Sequence, residues 1–222
     1  VGHGDRVAVL SANNPEWCLA FWATVDLGAI LVGLNGWWKT DEILYGLDDS
    51  GSKVLVADAK RFERIADQLD QAPGLERIYL INGDPADYDD PRIRAFAELL
   101  DEPSDEFPDT EIAEDDPAVI FYTSGTTGRP KGAISTHRNM VANLQNTLFN
   151  SIATVMANPE TSPNDSGGGQ TVGLLTSPLF HVSGCHSSLV VGMIAGVKLV
   201  IPEGRFDPDH ALQLIQDEGV TI

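Results

Sequence analysis

"DRVAVLSANNPEWCLAFWATVDLGAILVGLN", Asp5 to Asn35, decides the fold class. It opens on a short valine-rich run, Asp5 to Ser11, with the character of a buried strand. Asn13 or Asn14 can then cap a helix, and Pro15 suits its first turn. Trp17, Cys18, Phe21, Trp22 and Val25 recur at helical spacing and give one apolar face, which reads as core. Gly28 stops the helix, and Ala29 to Asn35 is a second apolar run. Strand, crossover helix, strand is the unit from which parallel sheets are built.

Working outward, the same rhythm continues. Thr40 caps a short helix that Gly51 stops, and Lys53 to Asp58 is a third strand. "RFERIADQL" reads as a helix and "ERIYLIN" as a fourth strand. From Gly83 to Asp116 acids and prolines dominate, with one short helix expected over Ile93 to Leu100; this is a solvated connector. "PAVIFYT" and "KGAIST" are two more strands, followed by a helix from His137 capped by Thr136. Asn158 to Gln170 has the makeup of a mobile loop. Strand, helix and strand then follow between Val172 and Pro202, and Asp207 with Pro208 starts a last helix ending near Gly219. The expected class is α/β, with mostly parallel sheets flanked by helices. The expected division is a first subdomain over 1–157, a loop over 158–170 and the start of a second subdomain over 171–222.

Composition narrows the function classes. A net charge of −19 argues against a general nucleic-acid binder, whose footprint is basic, but not against a small anion held locally. Cys18 and Cys185 have no paired spacing, which points to a reducing, cytoplasmic setting. No apolar run is long enough to span a bilayer. The chain opens on Val1 and closes on "DEGVTI", which reads like the start of a strand, so a piece of a longer chain is expected.

The chemistry concentrates in "VIFYTSGTTGRPKGAIS", Val119 to Ser135. After a buried strand, the ten residues from Thr123 to Gly132 hold four hydroxyls, three glycines and two cations. Glycine lets backbone N–H groups converge on one point, and converging N–H groups cradle anions. Thr123, Ser124, Thr126 and Thr127 add hydroxyls that also suit magnesium, and Arg129 and Lys131 add charge. The natural guest is a polyphosphate; the bland alternative is a plain Ser/Thr/Gly hairpin. The common P-loop is excluded, because Gly125 and Gly128 are three apart, Pro130 precedes Lys131, and a strand-like segment intervenes before the helix. A nucleophile elbow around Ser124 is also absent.

"YTSGTTGRPKG" resembles the phosphate-loop signature of the AMP-forming adenylating superfamily, which contains acyl-CoA synthetases, adenylation domains of peptide synthetases and luciferase. "GDRVAVLSANNPEWCLAFWATVDLGAI", "LNGWWKTDEILYGLDDSGSKVLVAD" and "SPLFHVSG" are similar to further stretches of that family, so the resemblance covers nearly the whole chain. It implies the large N-terminal domain of an acyl-CoA synthetase-like enzyme. The implied reaction joins a carboxylic acid to ATP, releasing pyrophosphate, and then passes the acyl group to coenzyme A, releasing AMP. It implies that Thr123, Ser124, Gly125, Thr126, Thr127 and Gly128 wrap the β- and γ-phosphates, with Thr123 approaching Mg2+. Lys131 either adds charge at the leaving group or braces the loop, and Arg129 braces.

Phe180 and His181 stand where the family has a histidine or aromatic beside the α-phosphate, which implies a catalytic contact for His181. "FHVS" offers no acid for a substrate ammonium, so a fatty or other organic acid is implied rather than an amino acid. His181, Cys185 and His186 lack a fourth partner for a metal site. Gly33 departs from the family, where proline is usual. The family's "YGxTE" and "TGD" segments and its C-terminal catalytic lysine do not occur in this sequence. Two other readings stand beside the CoA ligase: an adenylating enzyme that loads a carrier-protein thiol, and a non-catalytic nucleotide-binding module. Given ATP, magnesium and a range of acids, this chain alone should release no pyrophosphate; clear turnover in a coupled assay would refute that expectation.

Overall fold

The computed structural model describes residues 1–101, 103–104, 106–124, 128–158, 169–204 and 206–222. Two compact units emerge, Val1–His137 and Arg138–Ile222. The loop expected over Asn158 to Gln170 falls mostly outside the described residues.

The first unit is built on a seven-stranded sheet. Its strands are β1 (Arg6–Leu10), β2 (Ile30–Gly33), β3 (Val54–Asp58), β4 (Arg77–Ile81), β5 (Ile93–Ala95), β6 (Pro117–Thr123) and β7 (Lys131–Thr136). They lie in the order β5-β4-β3-β1-β2-β6-β7. Every neighbouring pair is parallel except β6 with β7, which is antiparallel. Parallel strands bury both faces, and β1, β2 and β3 accordingly carry near-unbroken apolar runs.

Helix α1 (Pro15–Asp26) connects β1 to β2, and α2 (Thr40–Ser50) connects β2 to β3. Asn14 caps α1, its side-chain oxygen accepting from the Trp17 amide at 2.8 Å. Trp17 and Phe21 are fully buried and serve as core, whereas Trp22 is half-buried, its ring at a steep angle to Phe21. Lys39, not the expected Thr40, is the N-cap of α2, and Glu42 accepts from its amide at 2.9 Å. Gly51 ends α2 in the left-handed conformation at φ 60°, as glycine readily does. Ile43, Leu44 and Leu47 of α2 pack with Ala8, Leu10, Val32, Leu34, Leu55 and Ala57 on one face of the sheet.

The chain moves from β1 outward to β2 and then returns past β1 to β3, so the direction of winding reverses between β1 and β3. Ligands of such sheets bind in the crevice at the C-terminal ends of the strands where the winding reverses. Here Asp58 fills that place. It accepts from the Ala12 amide at 2.8 Å, the Ser11 hydroxyl at 3.2 Å and Arg61 Nη1 at 2.6 Å. Arg61 and Arg64 in turn donate to the Gly36 carbonyl at 3.1 and 3.0 Å.

Two expectations need correction. The helix over Ile93 to Leu100 is instead the edge strand β5 followed by a 3-10 turn, Phe96–Leu100. Ile93 and Phe96 are both buried, a pairing that an edge strand entering the fold provides as well as a helix does. The helix over "RFERIADQL" is a single turn, α3 (Ala59–Phe62), followed by a 3-10 stretch, Ala66–Gln71, broken at Gln68.

Helix α4 (His137–Ala157) opens on the last residue of the first unit and continues into the second, and none of its residues is buried. Strands β8 (Val172–Leu174) and β9 (Lys198–Val200) pair in parallel. Between them lies a continuous helical stretch: α5 (Val182–Gly184), a π-helical segment (Cys185–Val190) and α6 (Val191–Ile194). Helix α7 (Pro208–Asp217) is capped by Asp207, which accepts from the Asp209 and His210 amides at 2.9 and 3.1 Å. No helix among the described residues is long and apolar enough to cross a membrane.

Leu55 lies at the centre of the sheet, 0% exposed. Leu55→Ala should cost about 2–5 kcal/mol, read as a lower urea midpoint with an unchanged slope.

Candidate functional site

The described part of the glycine-rich segment is a hairpin at the edge of the first unit's sheet. β6 is anchored by Ala118, Val119 and Phe121, all buried. It pairs with β2 on one side, and β7 returns along its other side with Thr123 opposite Lys131. Directly opposed residues of an antiparallel pair present their side chains to the same face. Thr123 and Lys131 therefore stand side by side at the mouth, where the Thr123 hydroxyl approaches the Lys131 carbonyl at 3.4 Å.

Ser124 and Gly128 flank the tip and are exposed. Gly128 has φ +93°, and a Cβ there would meet nothing within 4 Å. Its glycine is demanded by backbone conformation, not by crowding. Gly132 has the opposite reason: a Cβ would come within 2.9 Å of Ile120, so β7 can lie close against β6. Gly125, Thr126 and Thr127 lie outside the described residues.

This donor set fits a phosphate chain: exposed hydroxyls, an unhindered glycine backbone and the ammonium of Lys131 at one mouth. It fits magnesium less completely. Thr123 and Ser124 offer hydroxyls, but the described hairpin contains no carboxylate, so the acidic ligand magnesium prefers would come from another segment.

The mouth is held from the side by α2. Tyr122, half-buried, donates to Asp49 Oδ2 at 2.7 Å, and its ring meets the edge of Trp38 at 5.2 Å. Tyr45 reaches Asp49 Oδ1 at 3.2 Å and the Pro130 carbonyl at 3.3 Å. The Arg129 guanidinium lies 5.2 Å over the Tyr45 ring. Burial, then the neighbouring Asp49 carboxylate, pushes both phenols above their ordinary range, so both stay protonated donors. Sequence reasoning missed Tyr45 and Asp49. Their separation by one helical turn was visible, but nothing in it pointed to a hairpin eighty residues further along.

His181 belongs to the second unit. It is the N-cap of α5, and its Nδ1 accepts from the Ser183 amide at 3.3 Å and meets the Ser183 hydroxyl at 3.0 Å. With Nδ1 occupied as an acceptor, the neutral ring carries its proton on Nε2. The ring is exposed, whereas Cys185 is fully buried. Burial lowers the pKa of His186, which favours its neutral form.

This geometry has a specific requirement. A Cβ on Gly184 would stand 2.1 Å from the Pro178 carbonyl oxygen. The backbone before His181 thus folds directly onto the helix that His181 caps, and His181 N–H donates back to the Pro178 carbonyl at 3.2 Å.

The family model for AMP-binding enzymes matches residues 1–222, and the chain belongs to that family. It is 31% identical over 219 residues to a feruloyl-CoA synthase of Amycolatopsis sp, covering 99% of this chain and 38% of the relative. It is 36% identical over 227 residues to a 3-hydroxybenzoate–CoA/4-hydroxybenzoate–CoA ligase of Thauera aromatica, covering 100% of this chain and 39% of that protein. Among solved structures, the inhibitor-bound N-terminal domain of FACL13 from Mycobacterium tuberculosis superposes with a TM-score of 0.77 at 29% identity, over 99% of this chain and 49% of that one. The mostly parallel sheet flanked by helices is thus the architecture of an acyl-CoA synthetase N-terminal domain. The chain spans well under half the length of the curated relatives it matches.

Gly184→Ala should destabilise the second unit by about 3 kcal/mol, because the clash is with backbone and cannot be relieved by a rotamer change. Faster proteolysis between Pro178 and Ile194, with the first unit unaffected, would be the expected reading.

Proposed function

We propose that this chain is the phosphate-handling part of an ATP-dependent acid–CoA ligase. The observation that carries the reading is the hairpin mouth, where Thr123 and Lys131 stand opposite one another beside the unhindered Gly128. A carboxylate oxygen of the acid attacks the α-phosphorus of ATP. The bond from that phosphorus to the bridging oxygen breaks, and pyrophosphate leaves from the resulting acyl-adenylate. The thiol of coenzyme A, losing its proton, then attacks the acyl carbon and AMP departs with the carboxyl oxygen it was bonded to.

Charge develops on the pyrophosphate in the first step, and pre-aimed donors stabilise it most. Thr123, Ser124, Gly125, Thr126, Thr127 and Gly128 would wrap the β- and γ-phosphates, with Lys131 adding positive charge. Mg2+, when bound, would neutralise phosphate charge, with Thr123 as one contact. His181 would present its Nε2 proton to the carboxylate or the adenylate.

The named activities of the relatives favour a hydroxylated aromatic acid as the first substrate class to test. An ATP–pyrophosphate exchange assay on the intact protein should include ferulate, 4-hydroxybenzoate and fatty acids of graded length. Exchange with at least one acid, followed by coenzyme A-dependent release of AMP, is the expected outcome. Release of AMP only with a carrier-protein thiol would replace the CoA assignment. Thr126→Ala with Thr127→Ala should lower the exchange rate by about 10²–10³-fold; an unchanged rate would remove the phosphate cradle from this hairpin.

A further inference from the structure

The two limbs of the hairpin do not hold each other by strand pairing alone. The ladder between β6 and β7 ends at Thr123 and Lys131. Strand β7 is the last of the sheet and its first four residues are exposed, so no further strand steadies it among the described residues. Among the described residues of the first unit, side chains of α2 reach both limbs.

The Asp49 carboxylate is the junction. Its Oδ2 accepts from Tyr122, on the limb entering the mouth, at 2.7 Å. Its Oδ1 is 3.2 Å from the Tyr45 hydroxyl, which also stands 3.3 Å from the Pro130 carbonyl on the limb leaving it. The Tyr45 ring carries the Arg129 guanidinium at 5.2 Å, a second hold on the same limb. Tyr122 is itself aimed by the edge of Trp38 at 5.2 Å, and its hydroxyl is within 3.2 Å of the Gly46 carbonyl. Gly46 has to be glycine for this packing, since a Cβ there would meet Trp38 at 2.7 Å and Leu34 at 2.9 Å.

We propose that Asp49 and Tyr45 of α2, acting with Tyr122, are positioning residues that set the separation of the two limbs of the phosphate hairpin. None of them needs to touch substrate. One carboxylate faces both tyrosines, and the single Tyr45 proton, shared between Asp49 Oδ1 and the Pro130 carbonyl, ties the leaving limb to the junction that holds Tyr122 on the entering limb. Arg129 is thereby turned onto Tyr45 and Lys131 is left as the cation beside Thr123. The assignment of a catalytic consequence rests on the phosphate-cradle reading of the hairpin; the mechanical coupling does not.

The two parts separate in one set of variants of the intact protein: Asp49→Ala, Asp49→Asn and Tyr45→Phe. Amide hydrogen exchange reads the coupling without ligand. In Asp49→Ala the amides of Thr123, Arg129, Lys131 and Gly132 should exchange about tenfold faster, while those of Val54 to Ala57 in β3 keep the wild-type rate. Tyr45→Phe keeps the ring under Arg129 but loses the hydroxyl, so only the leaving limb should loosen. Asp49→Asn retains an acceptor oxygen and should recover much of the protection. Wild-type exchange at the mouth in Asp49→Ala would overturn the proposal, as would uniform acceleration across the sheet, which marks general destabilisation.

In ATP–pyrophosphate exchange, Asp49→Ala should lower kcat by about 10–100-fold with the KM for the acid unchanged, the signature of misplaced groups and not of lost binding. Wild-type kcat in a variant whose hairpin has loosened would overturn the catalytic consequence. Absence of exchange activity in the wild-type protein with every acid would refute the phosphate reading instead, and the amide measurement would still decide whether Asp49 and Tyr45 set the limbs.

Discussion

Strand β6 is the constraint on which the first unit depends. It pairs in parallel with β2 on one side and antiparallel with β7 on the other. Ala118, Val119 and Phe121 seat it firmly in the core. A parallel neighbour forces the chain to travel away through a crossover, whereas an antiparallel neighbour lets it return at once. At this single strand the sheet stops needing helices between its strands, and the chain comes back along its own edge from Lys131. The phosphate cradle proposed for this hairpin uses that geometry, because paired limbs bring Thr123 and Lys131 close enough to meet one guest.

The opposite end of the sheet logic lies at β1 and β3. There the winding reverses and leaves the crevice where α/β sheets commonly receive ligands. In this chain Asp58, Ser11 and Arg61 satisfy one another in that crevice. The site proposed for this chain lies at the edge hairpin, whereas at the reversal point these side chains bind one another.

Much of this was legible in the sequence because it rests on short-range chemistry. The β-α-β rhythm followed from apolar runs punctuated by Asn14, Gly28 and Gly51, each of which acts on its own backbone or within one turn. The strand on either side of the glycine-rich segment was legible for the same reason. What escaped depends on partners far away in the chain. Ile93 and Phe96 needed burial that either a helix or an edge strand could supply, and only pairing with β4 selects the strand. Lys39 displaced Thr40 as the cap because Glu42 reached back to its amide, while the Thr40 hydroxyl donates to the Arg64 carbonyl at 2.7 Å. The support of the hairpin by Tyr45 and Asp49 was hidden because their pairing on α2 resembles any surface pair until β7 is laid beside it.

The π-helical segment Cys185–Val190 gives the second unit a property that a regular helix would lack. A π turn holds one residue more than an α turn over the same stretch, so it is a stored register shift. Cys185, Leu189 and Val190 face inward under that shift. Removing one residue from the segment would restore α geometry and leave the flanking turns in their present register, because the wide turn is what absorbs the extra residue. His181 sits upstream of it, capping the turn that leads into the wide segment. A single-residue deletion here would be felt in the packing of Cys185, Leu189 and Val190, whose inward spacing belongs to the wide turn, and not in the aim of the ring.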